Sequence, residues 1–514
     1  MAGEPSQTTS PLSSRLEELA TPYPDRISRL IRRRRLGEAI ALTEEMARSR
    51  IVLHDFFADT CTVLWSWVGD HLGEEAVEPM FRALFEQSAR RQIYSIAPLL
   101  RMYVRNTISL LAESGWRSHS CFGCGEHPAR FSLTEDDEKF TFHLHPCASG
   151  ARLWLRGLYE PGRGGKRSEK AHRWTFWQKD FPYYCIHSAF LNELLPYESL
   201  GYLLWPTDEP QAPGDICKWH IYKDPNDIPV KYYDRLGVEK KFIPPVTTKW
   251  PKKRYFSDDE LREMSRPVTD RIKEEIAAGR LKRAVRLCLE VKDEFLFLHD
   301  LYVNMIVSTL TFIADQAGEG KLREALEYQF EKAVAPLLEE MRHLPARERA
   351  ALLALKIFGV DNCNRTGLPR GKFTLKETGR AFLFKLDPCG SGGRLYRGGA
   401  YQAMDLRRKG REALVDFLFL TVCKYLPLPE GLLKWSFADT GGYVTQRKPY
   451  GQGRTQSGHP WSFHKKGLPL YCCLCGMLQQ KLGTGCLTIS PPPSPSAPCL
   501  WRLEKIAKGP LFQG

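Results

Sequence analysis

Two features of exported and membrane proteins are missing from this sequence of 514 residues. The N-terminus, MAGEPSQTTSPLSS, has neither the basic region nor the apolar core of a secretory signal. The most apolar stretch, DFLFLTVCKYLPL from Asp416, is interrupted by Lys424 and is shorter than the roughly 18 apolar residues that a membrane span needs. We therefore predict a cytoplasmic protein with no membrane partner.

The composition is not that of a disordered chain, and it argues against a disulfide framework. Hydrophobic residues make up 43% and charged residues 26% of the sequence, which is typical of a globular protein. The length exceeds what one core ordinarily serves, so we expect two or more domains. Because no export signal precedes them, the 15 cysteines suit metal ligands, reactive thiols or core thiols better than disulfides.

The net charge of +14 suits an anionic partner. Two runs concentrate this charge, IRRRR at 31–35 and KWPKKR at 249–254. Neither run has the interleaved aromatic platform of a single-strand binder, and neither belongs to a helix-turn-helix or zinc-finger spacing. A small organic molecule is therefore the expected ligand, and nucleic acid is the less favoured alternative.

An octapeptide occurs twice in the chain, as PCASGARL at 146–153 and as PCGSGGRL at 388–395. The longer stretches that end with these octapeptides are identical at 12 of 23 positions. Matches continue on both sides, with SRIVLHDFF aligned to DEFLFLHDLY and HRWTFWQKDFPYYC aligned to HPWSFHKKGLPLYC. The sequence therefore predicts a tandem duplication.

Each repeat is predicted to be α+β. The first part, 25–112 in one repeat and 268–358 in the other, has apolar residues at helical spacing. The second part is predicted to be a small antiparallel sheet with the cysteine-rich site. LTEDDEKFTFHLHP from Leu133 and LKETGRAFLFKLDP from Leu375 alternate apolar and polar residues around a turn, which predicts a hairpin, and a final strand is predicted around Cys217 or Cys499. Whether the repeats pack as a pseudo-dimer is left open. The predicted boundaries are a disordered N-terminus at 1–24, repeat 1 at 25–236, a linker at 237–267, and repeat 2 at 268–514 with an insertion at about 407–455.

The cysteines that both repeats retain predict zinc as the cofactor. Zinc takes four thiolate or imidazole ligands, and a C-x-x-C turn places two thiolates on one metal ion. Buried core thiols and a redox dithiol are the open alternatives. The candidate ligands are Cys121, Cys124, Cys147 and Cys185 in repeat 1, with His187 as a substitute, and Cys363, Cys389, Cys472 and Cys475 in repeat 2. One further retained pair is Cys217 with Cys499.

Arginine and histidine are the candidates for chemistry beside the thiols. Both octapeptides keep an arginine, Arg152 and Arg394, which could hold an anion near the backbone N–H groups of the Ser-Gly turn. The alternative is an arginine that forms a structural salt bridge. His54 and His299 lie within helices and could serve as general bases or extra ligands. The alternative is a buried histidine bonded to a backbone carbonyl.

The order of elements also resembles that of a known family. The segments GEE at 73–75, GEG at 318–320 and GDIC at 214–217 resemble aminothiazoline-carboxylate hydrolase-like proteins and the related 4-vinyl reductase-type ligand-binding domains. The resemblance implies a pocket for a small organic molecule. It also implies, as one activity of that family, hydrolysis of a C–N or C–S bond in a heterocycle.

One preferred hypothesis and one alternative follow. We predict a zinc-dependent enzyme that hydrolyses a C–N or C–S bond in a small, anionic organic molecule, with water activated at an open zinc position. The alternative is a non-enzymatic, zinc-stapled module that senses a ligand or binds nucleic acid or protein through its basic charge. A site with four protein ligands would be closed and structural, so the number of ligands distinguishes the two hypotheses.

Overall fold

The computed structural model describes residues 16–92, 104–112, 124–245, 252–356, 373–401 and 453–506. The predictions for Cys121 and Cys363, and nearly all of the predicted insertion at 407–455, lie outside these residues. Within the described residues the chain combines helices with two four-stranded antiparallel sheets. The predicted α+β class is therefore confirmed.

The first half opens with five helices, namely α1 (Leu16–Leu19), α2 (Tyr23–Arg32), α3 (Leu36–His71), α4 (Val77–Gln92) and α5 (Val104–Leu110). Helix α3 is central, because its later turns bury nearly every residue, including the successive Leu64 and Trp65. A helix that is apolar on all sides is one that protein surrounds. Helix α2 packs on it through Ile27 and Ile31, which lie one turn apart on a single face.

An antiparallel sheet follows, made of β1 (Phe131–Glu135), β2 (Lys139–Leu144), β3 (Thr207–Asp208) and β4 (Cys217–Tyr222). The order of the strands is β1-β2-β4-β3, and β1 with β2 forms the predicted hairpin. In β1 the alternation buries Phe131 and Leu133 and exposes Ser132 and Thr134. The later α-helical segments of this half are α6 (Gly150–Leu155), α7 (183–200, with a π-helical turn at Ala189–Leu194) and α8 (Val230–Asp234).

The helices of the second half are α9 (Asp258–Ser265), α10 (Val268–Ala277), α11 (Leu281–Gln329), α12 (Ala335–Glu339) and α13 (Ala346–Lys356). Helix α11 is interrupted at Gly318, whose φ of 80° and ψ of 172° are not helical. Gly73, just after α3, has a φ of 88°. Glycine tolerates a positive φ because it has no Cβ. None of the helices in the described ranges is both long and apolar enough to cross a membrane.

The second sheet contains β5 (Phe373–Glu377), β6 (Ala381–Leu386), β7 (Leu487–Ser490) and β8 (Cys499–Glu504). Its order, β5-β6-β8-β7, repeats the pattern of the first sheet. The register also corresponds, because Leu386 lies opposite Cys499 as Leu144 lies opposite Cys217. Helix α14 (Gly392–Tyr401) follows β6, and helix α15 (Leu470–Leu482) precedes β7.

The two halves pack together along α3 and α11. Phe57 and Tyr302 occupy corresponding positions, three residues after His54 and His299, and their rings stack with centroids 5.6 Å apart and an interplanar angle of 7°. Trp65 donates its Nε1–H across the same boundary to Oγ1 of Thr309 at 2.9 Å. The halves therefore share one hydrophobic core.

Two stretches are more ordered than their composition suggested. In the segment predicted as a disordered N-terminus, Leu19 and Tyr23 are buried in the common core. In the predicted linker, α9 begins with a capping box between Ser257 and Glu260 and packs on β1 with Leu261 buried. Burial of a few well-spaced apolar side chains outweighs the polar and proline-rich composition around them.

Candidate functional site

Three cysteines of the first half lie together. Cys147 is in the loop before α6, Cys185 is near the start of α7, and Cys217 is the first residue of β4. A Cβ on Gly150 would lie 2.6 Å from the Sγ of Cys185 and 3.7 Å from the Sγ of Cys147, so both sulfurs border the same space. The thiol of Cys217 is close enough to the other two for their charges to act on it. We call these three residues the first thiol cluster.

N–H groups point at the sulfurs of the first thiol cluster. Ala151 donates its backbone N–H to the Sγ of Cys147 at 3.1 Å. Trp219 donates its Nε1–H to the Sγ of Cys217 at 3.2 Å. Burial raises the pKa of Cys147, while the backbone N–H groups of Ala151, Ser149 and Gly150 act to lower it. N–H donors favour the thiolate, which is the form that binds metal ions.

The second half gathers cysteines on the corresponding elements. Cys389 lies in the loop before α14, Cys472 and Cys475 lie in the first turns of α15, and Cys499 is the first residue of β8. Each of the three thiols Cys472, Cys475 and Cys499 has its pKa raised by burial and then by neighbouring thiols of this set. We call these four residues the second thiol cluster.

The contacts around the second thiol cluster repeat those of the first. A Cβ on Gly392 would lie 2.5 Å from the Sγ of Cys472, as one on Gly150 would meet Cys185. Gly393 donates its N–H to the Sγ of Cys389 at 2.7 Å. Trp501 donates its Nε1–H to the Sγ of Cys499 at 3.3 Å. The same donors therefore serve the same sulfur positions in both halves.

Burial decides the protonation of these thiols when no cation is present. It raises the pKa of Cys185 and Cys217 well above the ordinary value of 9.0, and the neighbouring Cys147 raises both further. In the second cluster burial and the neighbouring Cys389 raise the pKa of Cys499 to about 12. A bound divalent cation would reverse this preference, because a coordinating thiol loses its proton.

His187 lies two residues after Cys185, and one of its ring nitrogens has a backbone partner. Its Nδ1–H donates to the backbone carbonyl oxygen of Tyr184, which leaves Nε2 as the unprotonated nitrogen of the neutral ring. Burial lowers the pKa of His187 to about 4, so the ring is neutral at physiological pH. A carbonyl partner on Nδ1 is the usual support of a histidine that binds metal through Nε2.

Cys124 was a predicted ligand and Cys217 was not, but the structure places Cys217 in the first thiol cluster and Cys124 outside it. Cys124 packs against Ile51, Ala129 and Ala148, and the charges that act on it come from groups such as Arg48 and Asp270. Cys217 and its counterpart Cys499 join the thiol clusters, although they were not among the predicted ligands. Their occurrence at matching positions of the two halves, each with tryptophan two residues later, was the signal available in the sequence.

The twelve cysteines in the described part of the chain are all free thiols. Among the described residues, no group of three or more Cys, His, Asp or Glu side chains is arranged so that it could hold a metal ion. Zinc binding at either cluster would therefore require the side chains to draw closer together.

A buried hydrogen-bond network links the first octapeptide to both halves. His54 contacts Oδ1 of Asp55 through Nδ1 at 3.1 Å and Oγ of Ser149 through Nε2 at 2.9 Å. The hydroxyl of Tyr302, which lies on α11, is 3.1 Å from Oγ of Ser149 and 2.8 Å from the hydroxyl of Tyr184. The order Ser149, His54, Asp55 matches that of a hydrolytic triad, but Ser149 is only 1% exposed. The network therefore anchors the octapeptide.

The predicted arginine and histidine candidates take structural partners. Arg152 donates from its two terminal nitrogens to Asp55 at 2.6 and 2.9 Å, so the guanidinium that could have held an anion is engaged by a carboxylate. His299 contacts Oγ of Ser391 through Nε2 at 3.0 Å, as His54 contacts Ser149. Arg394 is 4% exposed. Arg152 therefore forms the structural salt bridge that was the alternative to anion binding.

Acid should destabilise the protein through His54. Burial lowers the pKa of His54 below its ordinary value of 6.5. The charges of Arg152 and Arg156 lower this pKa further, whereas the hydrogen bond to Asp55 raises it. The unfolded chain therefore takes up this proton first, and the stability that neutral His54 contributes is complete above about pH 6.5 and is lost as the pH falls towards the lowered pKa. We expect the free energy of unfolding, measured by urea denaturation, to fall more between about pH 7.5 and pH 5 in the wild type than in His54→Gln.

His464 provides the matched control for this prediction, because it is exposed. The variant His464→Gln should show the same fall in unfolding free energy as the wild type. Parallel pH profiles for the wild type and His54→Gln would contradict the assignment of this acid sensitivity to His54.

The two GE segments, which carry part of the family resemblance, hold loops in place. Glu74 accepts the backbone N–H of Glu169 at 2.6 Å and contacts Nε2 of His172 at 2.9 Å. Glu319 contacts Nε2 of His459 at 2.8 Å in the same way. Both glutamates follow the glycines with positive φ, Gly73 and Gly318. These carboxylates tie the loop before α7 or α15 to the helical layer.

No protein-family model, curated protein or solved structure matches this chain. The resemblance to hydrolase-like and ligand-binding domains therefore stays a prediction.

Proposed function

We propose that this chain is a duplicated, non-enzymatic zinc protein in which each thiol cluster binds one structural zinc ion. Each ion would tie together the octapeptide loop, helix α7 or α15, and strand β4 or β8. The two repeats would pair about a pseudo-two-fold axis, which the stacking of Phe57 on Tyr302 supports. The stapled halves would form a rigid binding module.

One observation carries the proposal. The thiols retained in both repeats lie on three corresponding elements, and each half aims a backbone N–H and an indole N–H at the same two sulfurs. A protonated core thiol is a weak hydrogen-bond acceptor and does not need such donors. A thiolate that binds a metal ion is stabilised by them. The matched donors therefore favour metal ligands over core thiols.

Each half offers four candidate ligands for its zinc ion. The first site would use Cys147, Cys185 and Cys217 with Nε2 of His187. The second would use the four residues of the second thiol cluster, where Cys475 takes the part of His187. Four protein ligands leave no open position for substrate or water, which is the arrangement of a structural zinc site.

The hydrolase hypothesis stays a prediction. Arg152 is engaged by Asp55, and His54 by Asp55 and Ser149. Ser149 and His54 are 1% and 2% exposed, so a substrate could reach them only if the helices separated. The binding-module alternative requires no such opening.

Metal content tests the proposal directly. Protein purified without a metal-affinity step should contain close to two zinc ions per chain, measured by mass spectrometry. The variants Cys147→Ser and Cys389→Ser should each contain one fewer, because serine supplies no thiolate. His187→Ala should lower the zinc affinity of the first site only, and Cys475→Ser that of the second only.

Cys288→Ala is the control, since Cys288 is a buried thiol outside both clusters. It should retain the zinc content of the wild type. Wild-type protein without zinc, or zinc content that is the same in all of these variants, would contradict the proposal.

A further inference from the structure

An open groove of about 730 Å³ lies on the surface of the second half. Phe463 lines it from the turn before α15, Gln479 from the end of α15, and Pro491 and Leu500 from β7, β8 and the loop between them. Leu500, which lines the groove, is 46% exposed and gives it an accessible apolar surface. The volume is within the range of ligand-binding clefts.

The first half fills the corresponding position with its own chain. Phe176 and Phe463 each end a short 3-10 turn that begins after a histidine, with φ of 53° and 55°. In the first half the guanidinium carbon of Arg235, just after α8, lies 4.1 Å from the centroid of the Phe176 ring. Phe463 borders the groove, and no segment of the described residues covers it in this way.

Two carboxylates hold Arg235 in place. Glu193 pairs with the Nη2 of Arg235, and Oε2 of Glu209 lies 3.0 Å from its Nη1. Glu193 also accepts the backbone N–H of Thr207 at 2.8 Å. The covered site of the first half is therefore acidic and is occupied by a cation.

The second half replaces both carboxylates with neutral groups. Gln479 accepts the backbone N–H of Ile489, as Glu193 accepts that of Thr207, and Thr207 and Ile489 pair with Trp219 and Trp501 at the same position of the sheet. Glu193 lies eight residues after Cys185, whereas Gln479 lies seven residues after Cys472. The π-helical turn of α7 accounts for the extra residue. Pro491 follows Ile489 by two residues, as Glu209 follows Thr207.

At one further position of this site the first half has a neutral amide and the second half has a cation. In the first half Nε2 of Gln178 donates to Glu209 at 2.8 Å. In the second half Lys465 holds the same position after the phenylalanine, and its Nζ lies 3.3 Å from the carbonyl oxygen of Pro491. The described residues that line the groove include Lys465 and no Asp or Glu. The charge of the site is thus reversed between the halves.

We infer that this groove binds a peptide segment of a partner protein that lays an apolar side chain on Phe463 and brings a carboxylate to Lys465. The apolar rim at Leu500 and the proline-rich wall suit an apolar peptide face. The reversed charge excludes an arginine like Arg235 and favours an acidic residue in its place. The inference is independent of zinc binding.

Two labelled peptides test the inference. Both copy residues 226–238 of this chain, and one carries Arg235→Glu. Fluorescence anisotropy with the full chain should show that the Glu peptide binds at least about tenfold more tightly than the peptide with arginine, because only the former offers Lys465 a carboxylate. In the Lys465→Glu variant of the full chain the preference should reverse.

Lys466→Glu is the matched control, since Lys466 is exposed and does not line the groove. It should keep the wild-type preference. Binding of neither peptide, or a preference that Lys465→Glu leaves unchanged, would overturn the inference. Self-association of the wild type that Lys465→Glu abolishes would assign the groove to a second copy of the chain and would also overturn it.

Discussion

Replacing Asp55 with asparagine should lower the free energy of unfolding by about 3–5 kcal/mol. Asp55 accepts two hydrogen bonds from Arg152 and lies 2.8 Å from Arg156. The side chain of Arg152 is only 3% exposed, so the variant would leave a buried guanidinium without its carboxylate. Burial opposes ionisation of Asp55, but the hydrogen bond to His54 and the two arginines outweigh it and hold its pKa at about 2.

Asp70→Asn is the control for this effect. Asp70 also pairs with a cation, Lys166, but its side chain is 39% exposed, and pairs of this kind contribute about 0–1 kcal/mol. Chemical denaturation followed by circular dichroism should separate the two variants clearly. If Asp55→Asn were no less stable than Asp70→Asn, the network around the octapeptide would contribute little to the fold.

Replacing Trp65 with alanine should cost about 3–5 kcal/mol. Trp65 is fully buried on α3, its ring centroid lies 4.8 Å from that of Phe81 and 5.6 Å from that of Tyr184, and its indole N–H donates to Thr309 of the other half. Alanine would leave a cavity between the halves, and the surrounding helices could collapse into it only in part. The loss should appear in a single unfolding transition, because the halves share one core.

Trp177→Ala is the matched control, because Trp177 is 57% exposed. Its unfolding free energy should differ from that of the wild type by less than about 0.5 kcal/mol. If Trp65→Ala instead gave two separate transitions, the halves would fold as independent units, and the packing of α3 on α11 would not couple them.

Local patterns in the sequence predicted the sheets well. The alternation in LTEDDEKFTFHLHP and LKETGRAFLFKLDP predicted the hairpins β1-β2 and β5-β6, and the final strands were expected around Cys217 and Cys499. Strand pairs of this type depend on residues close in sequence, so period and turn residues suffice to find them. The helical character of 25–112 and 268–358 was predicted for the same reason.

The candidate site was predicted only in part. Retention in both repeats identified Cys147, Cys185, Cys389 and Cys472, all of which lie in the thiol clusters. Cys217 and Cys499 are a matching pair as well, but they were not among the predicted ligands. The bond between Arg152 and Asp55 joins residues 97 positions apart, and no local pattern records such a pair.

The sequence by itself determined the α+β class, the hairpins and the identity of most of the clustered thiols, because periodicity and a repeated motif are local properties. Only the tertiary structure decided which of its alternative roles a side chain takes. It made Arg152, a candidate for anion binding, the partner of Asp55, and among the described residues it placed a covering side chain, Arg235, on Phe176 and none on Phe463. These outcomes depend on which groups packing brings together from distant parts of the chain, and burial then sets their charge and their partners.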